Sequence, residues 1–264
     1  MLGWTDMSKY CFEDITLLEE IQLIWMLKWK NKEHLGVLLN KYPTVAYFIK
    51  HKATSIKKEI EELQLKYSDL DLTEDELKTI EKIFVDSLED WLIYVKDPDA
   101  YDRLSFNKWD DKEILNMTDY DGKIVIDIGA GTGSQTFRLA NHARYIYAVE
   151  PIANLRKYIK TKAKKLNHNN IYVVDGLITQ IPFPDNFADV VLGGHVFGDD
   201  FEEEYNEIER VVRPNGLILL IPGNTDSDNL THEYLIKKGF MFSKFYEPGP
   251  DTGKGWKRKY WKYK

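Results

Sequence analysis

The stretch Lys123-Ile-Val-Ile-Asp127-Ile-Gly129-Ala130-Gly131-Thr132-Gly133 constrains this chain more than any other. A β-branched run leads into an acidic residue, and three glycines then fall at every second position. The run reads as a buried parallel strand. The glycines read as a turn whose backbone passes close to a ligand, because no Cβ stands in the way. Ser134 to His142 reads as a helix whose N-terminus points at whatever the turn holds. The dinucleotide fingerprint G-x-G-x-x-G puts its third glycine five residues after the first. Here Gly133 is four after Gly129, and Asp127 lies two before Gly129. A phosphate site avoids an acid there; a cationic ligand does not.

The context adds to this reading. Tyr145 to Val149 is a second β-branched run and ends at Glu150-Pro151. Glu150 falls near the offset, roughly 20 residues, at which a nucleotide-binding βαβ unit places its ribose-gripping carboxylate. A third strand, Ile171 to Val174, ends at Asp175-Gly176, and a turn-rich loop, Ile181 to Asn186, follows. A fourth strand, Ala188 to Leu192, runs into Gly193-Gly194-His195. An acidic helix over Phe201 to Val212, a turn at Arg213 to Gly216 and a strand over Leu217 to Ile221 complete the pattern.

With its D-x-G-x-G-x-G turn, its L-P-F-x-D-like loop and its R-V-x-(K/R)-P-x-G-like turn, the segment 119–264 resembles the class I S-adenosylmethionine (AdoMet) methyltransferases. The resemblance implies a Rossmann-like α/β fold with a seven-stranded, mostly parallel sheet and an antiparallel C-terminal hairpin. It implies AdoMet as cofactor, with S-adenosylhomocysteine as product. It assigns the cofactor to Asp127, Gly129, Ala130, Gly131, Thr132, Gly133, Glu150, Pro151, Asp175, Gly176, Leu177 and Gly193. Many members carry an acid just after the glycine that follows strand three. That place is Leu177 here, and the acid is Asp175. The adenine amino group would then meet a backbone N–H near Ile178, or Asp175 itself.

Residues 1–118 differ in character, with glycine only at Gly3 and Gly36. Helices are expected over Ile15 to Trp29, over Leu35 to His51 around Pro43, and over Ile56 to Tyr67. Thr73 with Glu76 forms a capping box for a helix running to about Val95. Asp97-Pro98-Asp99 breaks it, and a short helix over Trp109 to Asn116 leads into the first strand. The expected division is a helical domain, 1–118, serving as lid or packing unit, and a cofactor domain, 119–264. Tyr101 and Trp109 lie in a Tyr-Asp-rich segment that, in many enzymes of the family, approaches the methionine end of AdoMet. Aromatic packing of helix onto sheet is the rival role for both.

His195 is the candidate general base, since it follows strand four at the carboxyl end of the sheet, where ligands bind. The alternative is a histidine that shapes the pocket. Asp199 and Asp200 would bind a basic acceptor or cap the next helix. The net charge of −7 argues against broad nucleic-acid binding. The basic, aromatic run Trp256 to Lys264 reads as a hairpin strand whose lysines discourage edge pairing, or as a nucleic-acid-binding strand. One cysteine, Cys11, and scattered histidines give no metal spacing. No apolar run reaches membrane-spanning length and no signal peptide is read, so a cytoplasmic protein is expected. The N-P-P-[FYW] tetrapeptide of amide and adenine amino-methylating enzymes is absent, which leaves a small molecule as the expected acceptor. A protein or tRNA acceptor, a non-catalytic AdoMet-binding module and an NAD-dependent oxidoreductase are the competing readings. Oligomeric state is not legible.

Overall fold

The computed structural model describes residues 3–223, 226–248 and 255–264. Two compact units divide the chain, Met1–Tyr101 and Asp102–Lys264. The break precedes the boundary expected at 118 because Trp109, Ile114 and Tyr120 share a core with the sheet residues Val125 and Leu219.

The first unit is helical: α1 (Glu20–Trp29), α2 (Lys32–Lys41), α3 (Pro43–Lys52), α4 (Lys57–Lys66), α5 (Glu74–Asp86) and α6 (Glu89–Lys96). Its core joins Phe12, Leu23, Leu38, Ile49, Ile60, Phe84 and Leu92. Two expected helices are each split. Pro43 has no N–H to continue a helix, so α2 ends before Tyr42 and Pro43 opens α3 at its first position. The helix begun by the Thr73–Glu76 capping box stops at Asp86, with Ser87 Oγ donating back to the Phe84 carbonyl, and α6 restarts at Glu89. A five-residue helix, α7 (Pro98–Asp102), follows.

The second unit is a three-layer α/β domain. After α8 (Lys112–Leu115), its sheet comprises β1 (Ile124–Ile128), β2 (Tyr145–Val149), β3 (Ile171–Val174), β4 (Ala188–Gly194), β5 (Val212–Ile221), β6 (Met241–Tyr246) and β7 (Trp256–Tyr263). The spatial order is β3-β2-β1-β4-β5-β7-β6. Strands β1 to β5 are parallel, and β7 runs antiparallel between β5 and β6. Buried side chains alternate between faces, as the two-residue period of a strand requires. Ile126, Ile128, Ile218 and Leu220 pack beneath α11 (Phe201–Val211) and α12 (Leu230–Lys237). Val125, Leu217, Leu219 and Ile221 face Trp109, α8 and Leu139 of α9 (Ser134–Leu139). The remaining helix, α10 (Ala153–Lys165), buries Leu155, Ile159 and Ala163.

The turn expected at Arg213 to Gly216 is a bulge inside β5. Ala188 pairs with Val212 but Val190 with Leu217, and Asn215 takes a left-handed φ of 63°. The turn expected between Pro248 and Gly255 falls mostly on 249–254, outside the described residues. The hairpin's cations are engaged within the unit. Arg258 pairs with Asp226 and Asp228, Lys259 with Glu113, and Lys262 with Tyr205 and Glu209. Among the described residues no helix is long and apolar enough to cross a membrane.

Candidate active site

The carboxyl ends of β1, β2 and β4 meet at the glycine turn. Gly129, Gly131 and Gly133 have φ values of 62°, 57° and 83°, a region that side-chain-bearing residues rarely enter. A Cβ on Gly129 would lie 2.6 Å from Val196 Cγ2, and one on Gly133 would lie 2.8 Å from Phe137 Cε2. The Gly129 and Ala130 N–H groups both donate to the Val149 carbonyl, which holds the turn against β2.

Two buried carboxylates brace it. Asp127, on β1, accepts a 2.5 Å hydrogen bond from Thr136 Oγ1 in the first turn of α9. Glu150, just past β2, accepts from the Gly131 N–H at 2.8 Å and from the Ile152 N–H at 2.9 Å, one on each oxygen. Each of those oxygens keeps a second lone pair. Burial pushes both carboxyls up to about 7, against the hydrogen bonds that favour their ionised forms.

Arg156, on α10, ties strand ends two and three together. Its guanidinium donates to the Glu150 and Pro151 carbonyls and to Asp175 at 3.0 Å. Asp175 remains largely exposed. Gly176 is close-packed, since a Cβ there would lie 2.7 Å from Pro182 Cδ. Leu177 forms an isolated bridge with Gln180, whose N–H donates to its carbonyl. Gly193 sits in register with Ile128 and Leu220.

His195 follows β4 with a left-handed φ of 57°; the other three such non-glycine residues described are asparagines. Its N–H donates to the Ile221 carbonyl, and its Nε2 lies 2.8 Å from Glu247 Oε2. Phe106 packs beside the imidazole, with ring centroids 5.5 Å apart. Asp200 caps α11, and Glu204 folds back to accept the N–H groups of Gly198, Asp199 and Asp200.

Sequence-expected residues are therefore gathered from Asp127 through Gly133, at Glu150-Pro151, at Asp175 to Leu177 and at Gly193 to His195. Trp109 packs instead on Phe245 and beneath the Arg138 guanidinium, 6% exposed. Tyr101 closes the first unit, its ring against Tyr94 and Trp4. Phe106, Arg156 and Glu247 were not singled out from the sequence. Phe106 lies in the same aromatic segment as Trp109. Glu247 carries no local signal, because only the hairpin's place in the sheet brings it to His195.

The turn suits a nucleoside cofactor. Thr132 Oγ1 is buried without a partner among the described residues, between two glycines of left-handed φ. Fold and turn together resemble those of the class I AdoMet-dependent methyltransferase domains. Residues 126–220 match the family model described as a methyltransferase domain. The chain is 30% identical over 129 residues to an uncharacterized methyltransferase of Geobacillus sp. (strain WCH70), covering 47% of this chain and 58% of that protein. It is 30% identical over 121 residues to a demethylmenaquinone methyltransferase of Geobacillus stearothermophilus, covering 43% and 51%. It thus spans between half and two thirds of these relatives' length. In structure it resembles a SAM-dependent methyltransferase from Aquifex aeolicus, with a TM-score of 0.50 and 19% identity over 63% of this chain and 98% of that one. A phosphoethanolamine N-methyltransferase of Haemonchus contortus gives a TM-score of 0.52 and 17% identity over 67% and 48%. These two likenesses concern the fold.

Proposed function

We propose that the protein transfers a methyl group from AdoMet to a small organic acceptor. The observation that carries this reading is the glycine turn whose central N–H is bonded to the buried Glu150 carboxylate. In this reading Glu150 uses its spare lone pairs for the ribose hydroxyls, and Thr132 and the backbone of the turn receive the rest of the nucleoside. Asp127 acts through Thr136, holding α9 against the turn. Asp175 is already paired with Arg156, which favours a backbone N–H near Ile178 for the adenine edge.

AdoMet supplies an activated methyl on a sulfonium leaving group. The protein's contribution is alignment and exclusion of water. His195, at the mouth of β4, takes the acceptor's proton. A small acceptor is favoured by the relative named as a demethylmenaquinone methyltransferase, and by hairpin cations that are engaged internally rather than presented to a polyanion.

Isothermal titration with AdoMet and with S-adenosylhomocysteine tests the reading. Saturable one-to-one binding of both is expected. NADH binding with neither would reassign the turn to another chemistry.

A further inference from the structure

We infer that Glu247 is a positioning residue for His195, fixing the imidazole so that Nδ1 is the atom that receives a proton. The inference rests on the reading of His195 as the base and adds what lies behind it.

Three chain segments converge on this ring. His195 leaves β4 in a left-handed conformation, anchored by its N–H on the Ile221 carbonyl at 2.8 Å. Glu247 follows β6, and its own N–H donates to the Gly255 carbonyl beside β7. Glu247 is 3% exposed, and its Oε2 lies 2.8 Å from His195 Nε2. Lys257 of β7 completes the group. Its ammonium lies 3.8 Å from Glu247 Oε1 and donates at 2.7 Å to the Gly223 carbonyl just past β5. The buried carboxylate therefore has a hydrogen-bond donor at one oxygen and a cation near the other. Buried charge persists where it is paired in this way.

A carboxylate can only accept, so Nε2 must carry the hydrogen. The lone pair of the neutral ring then sits on Nδ1. The ring sits where a side chain at position 223 would be: a Cβ on Gly223 would lie 2.3 Å from Nδ1 and 2.6 Å from Cε1, so glycine there is what admits the imidazole in this orientation. Among the described residues Nδ1 has no hydrogen-bond partner. Phe106 flanks the ring and limits its rotation. A carboxylate behind one imidazole nitrogen and a free lone pair on the other is the arrangement of an oriented general base.

The matching acceptor bears its proton on the atom that is methylated, as a hydroxyl or an N–H group does. As that atom bonds to the methyl carbon, its proton passes to Nδ1, and the old carbon–sulfur bonding pair stays with the departing sulfur. The imidazolium so formed lies against Glu247, which stabilises it.

Nitrogen-15 and proton NMR of the full chain, labelled at histidine, tests this. His195→Gln identifies the His195 signals by their loss. The expected wild-type spectrum shows a proton on Nε2, shifted downfield and protected from exchange with water, with Nδ1 unprotonated. In Glu247→Leu the protected proton should disappear. A wild-type proton on Nδ1, or an Nε2 proton exchanging as freely as in an exposed histidine, overturns the inference even if the variant fails to fold. A protected proton that survives in folded Glu247→Leu overturns it too. AdoMet titration of the same samples separates the two readings: loss of cofactor binding in the wild type bears on the function, whereas the Nε2 proton bears on the pair.

Discussion

Glu150 is 4% exposed, and each of its oxygens holds a backbone N–H, so truncation there orphans two donors and removes the carboxylate proposed to meet the ribose. Glu150→Ala is expected to weaken AdoMet by about 1.5–3 kcal/mol, the scale of a hydrogen bond to a charged group. Calorimetric titration checks this, and an unchanged Kd would take Glu150 out of the site. Asp127 makes a separate claim about pH. Burial raises its carboxyl to about 7 in the folded chain, from an ordinary value of 3.8. The folded state therefore holds the proton across a window in which the unfolded state has released it. Stability conferred by the protonated form is complete below about 4 and declines as pH rises to about 7. Glu150 is shifted the same way. Asp127→Asn keeps an oxygen for Thr136 and removes the buried charge. It is expected to stabilise the cofactor-free protein by about 1–3 kcal/mol above pH 7, with the gain shrinking as pH falls toward 4. Thermal melts across that range decide it; a gain independent of pH would mean that Asp127 titrates alike in both states.

At the scale of elements, Arg138 joins the segment before β1 to α9. It donates to the Asn107 and Trp109 carbonyls, pairs with Asp111, and lies 4.4 Å above the Trp109 ring. Trp109→Ala is expected to cost about 3–5 kcal/mol in urea unfolding, the range for emptying a large aromatic site. A loss below about 1 kcal/mol would contradict the packing role. The parallel strands β1 to β5 were legible because each carries a short β-branched run beside turn residues, and parallel strands buried on both faces need no alternation. The turn was legible because three left-handed positions in five residues require glycine. Other features left weaker traces. The apolar pattern continues through Tyr42-Pro43 and through Ser87-Leu88, so two pairs of helices looked like two longer ones. The helix α10 presents only Leu155, Ile159 and Ala163 to the core among many lysines. Glu247 stands 52 residues from His195, and nothing local to either residue links them.

For the molecule as a whole, the decisive fact is that its two units have separate cores. The buried cluster of the first unit runs from Met7 to Leu92, and the clusters of the second use no residue before Trp109. The second unit, roughly 160 residues, is large enough to bury about two thirds of its unfolded-chain surface without help. The glycine turn, Glu150, Arg156 and the His195–Glu247 pair lie within it, and the hydrogen bonds described above that fix them are internal to it. Residues 102–264 expressed alone are therefore expected to unfold cooperatively and to bind AdoMet within about tenfold of the full chain, a difference of about 1.4 kcal/mol. Circular dichroism melts and calorimetric titration of the fragment check both points. A folded fragment that no longer binds would place part of the cofactor's affinity in residues 1–101. An unfolded one would show that separate cores in this chain do not amount to separate stability.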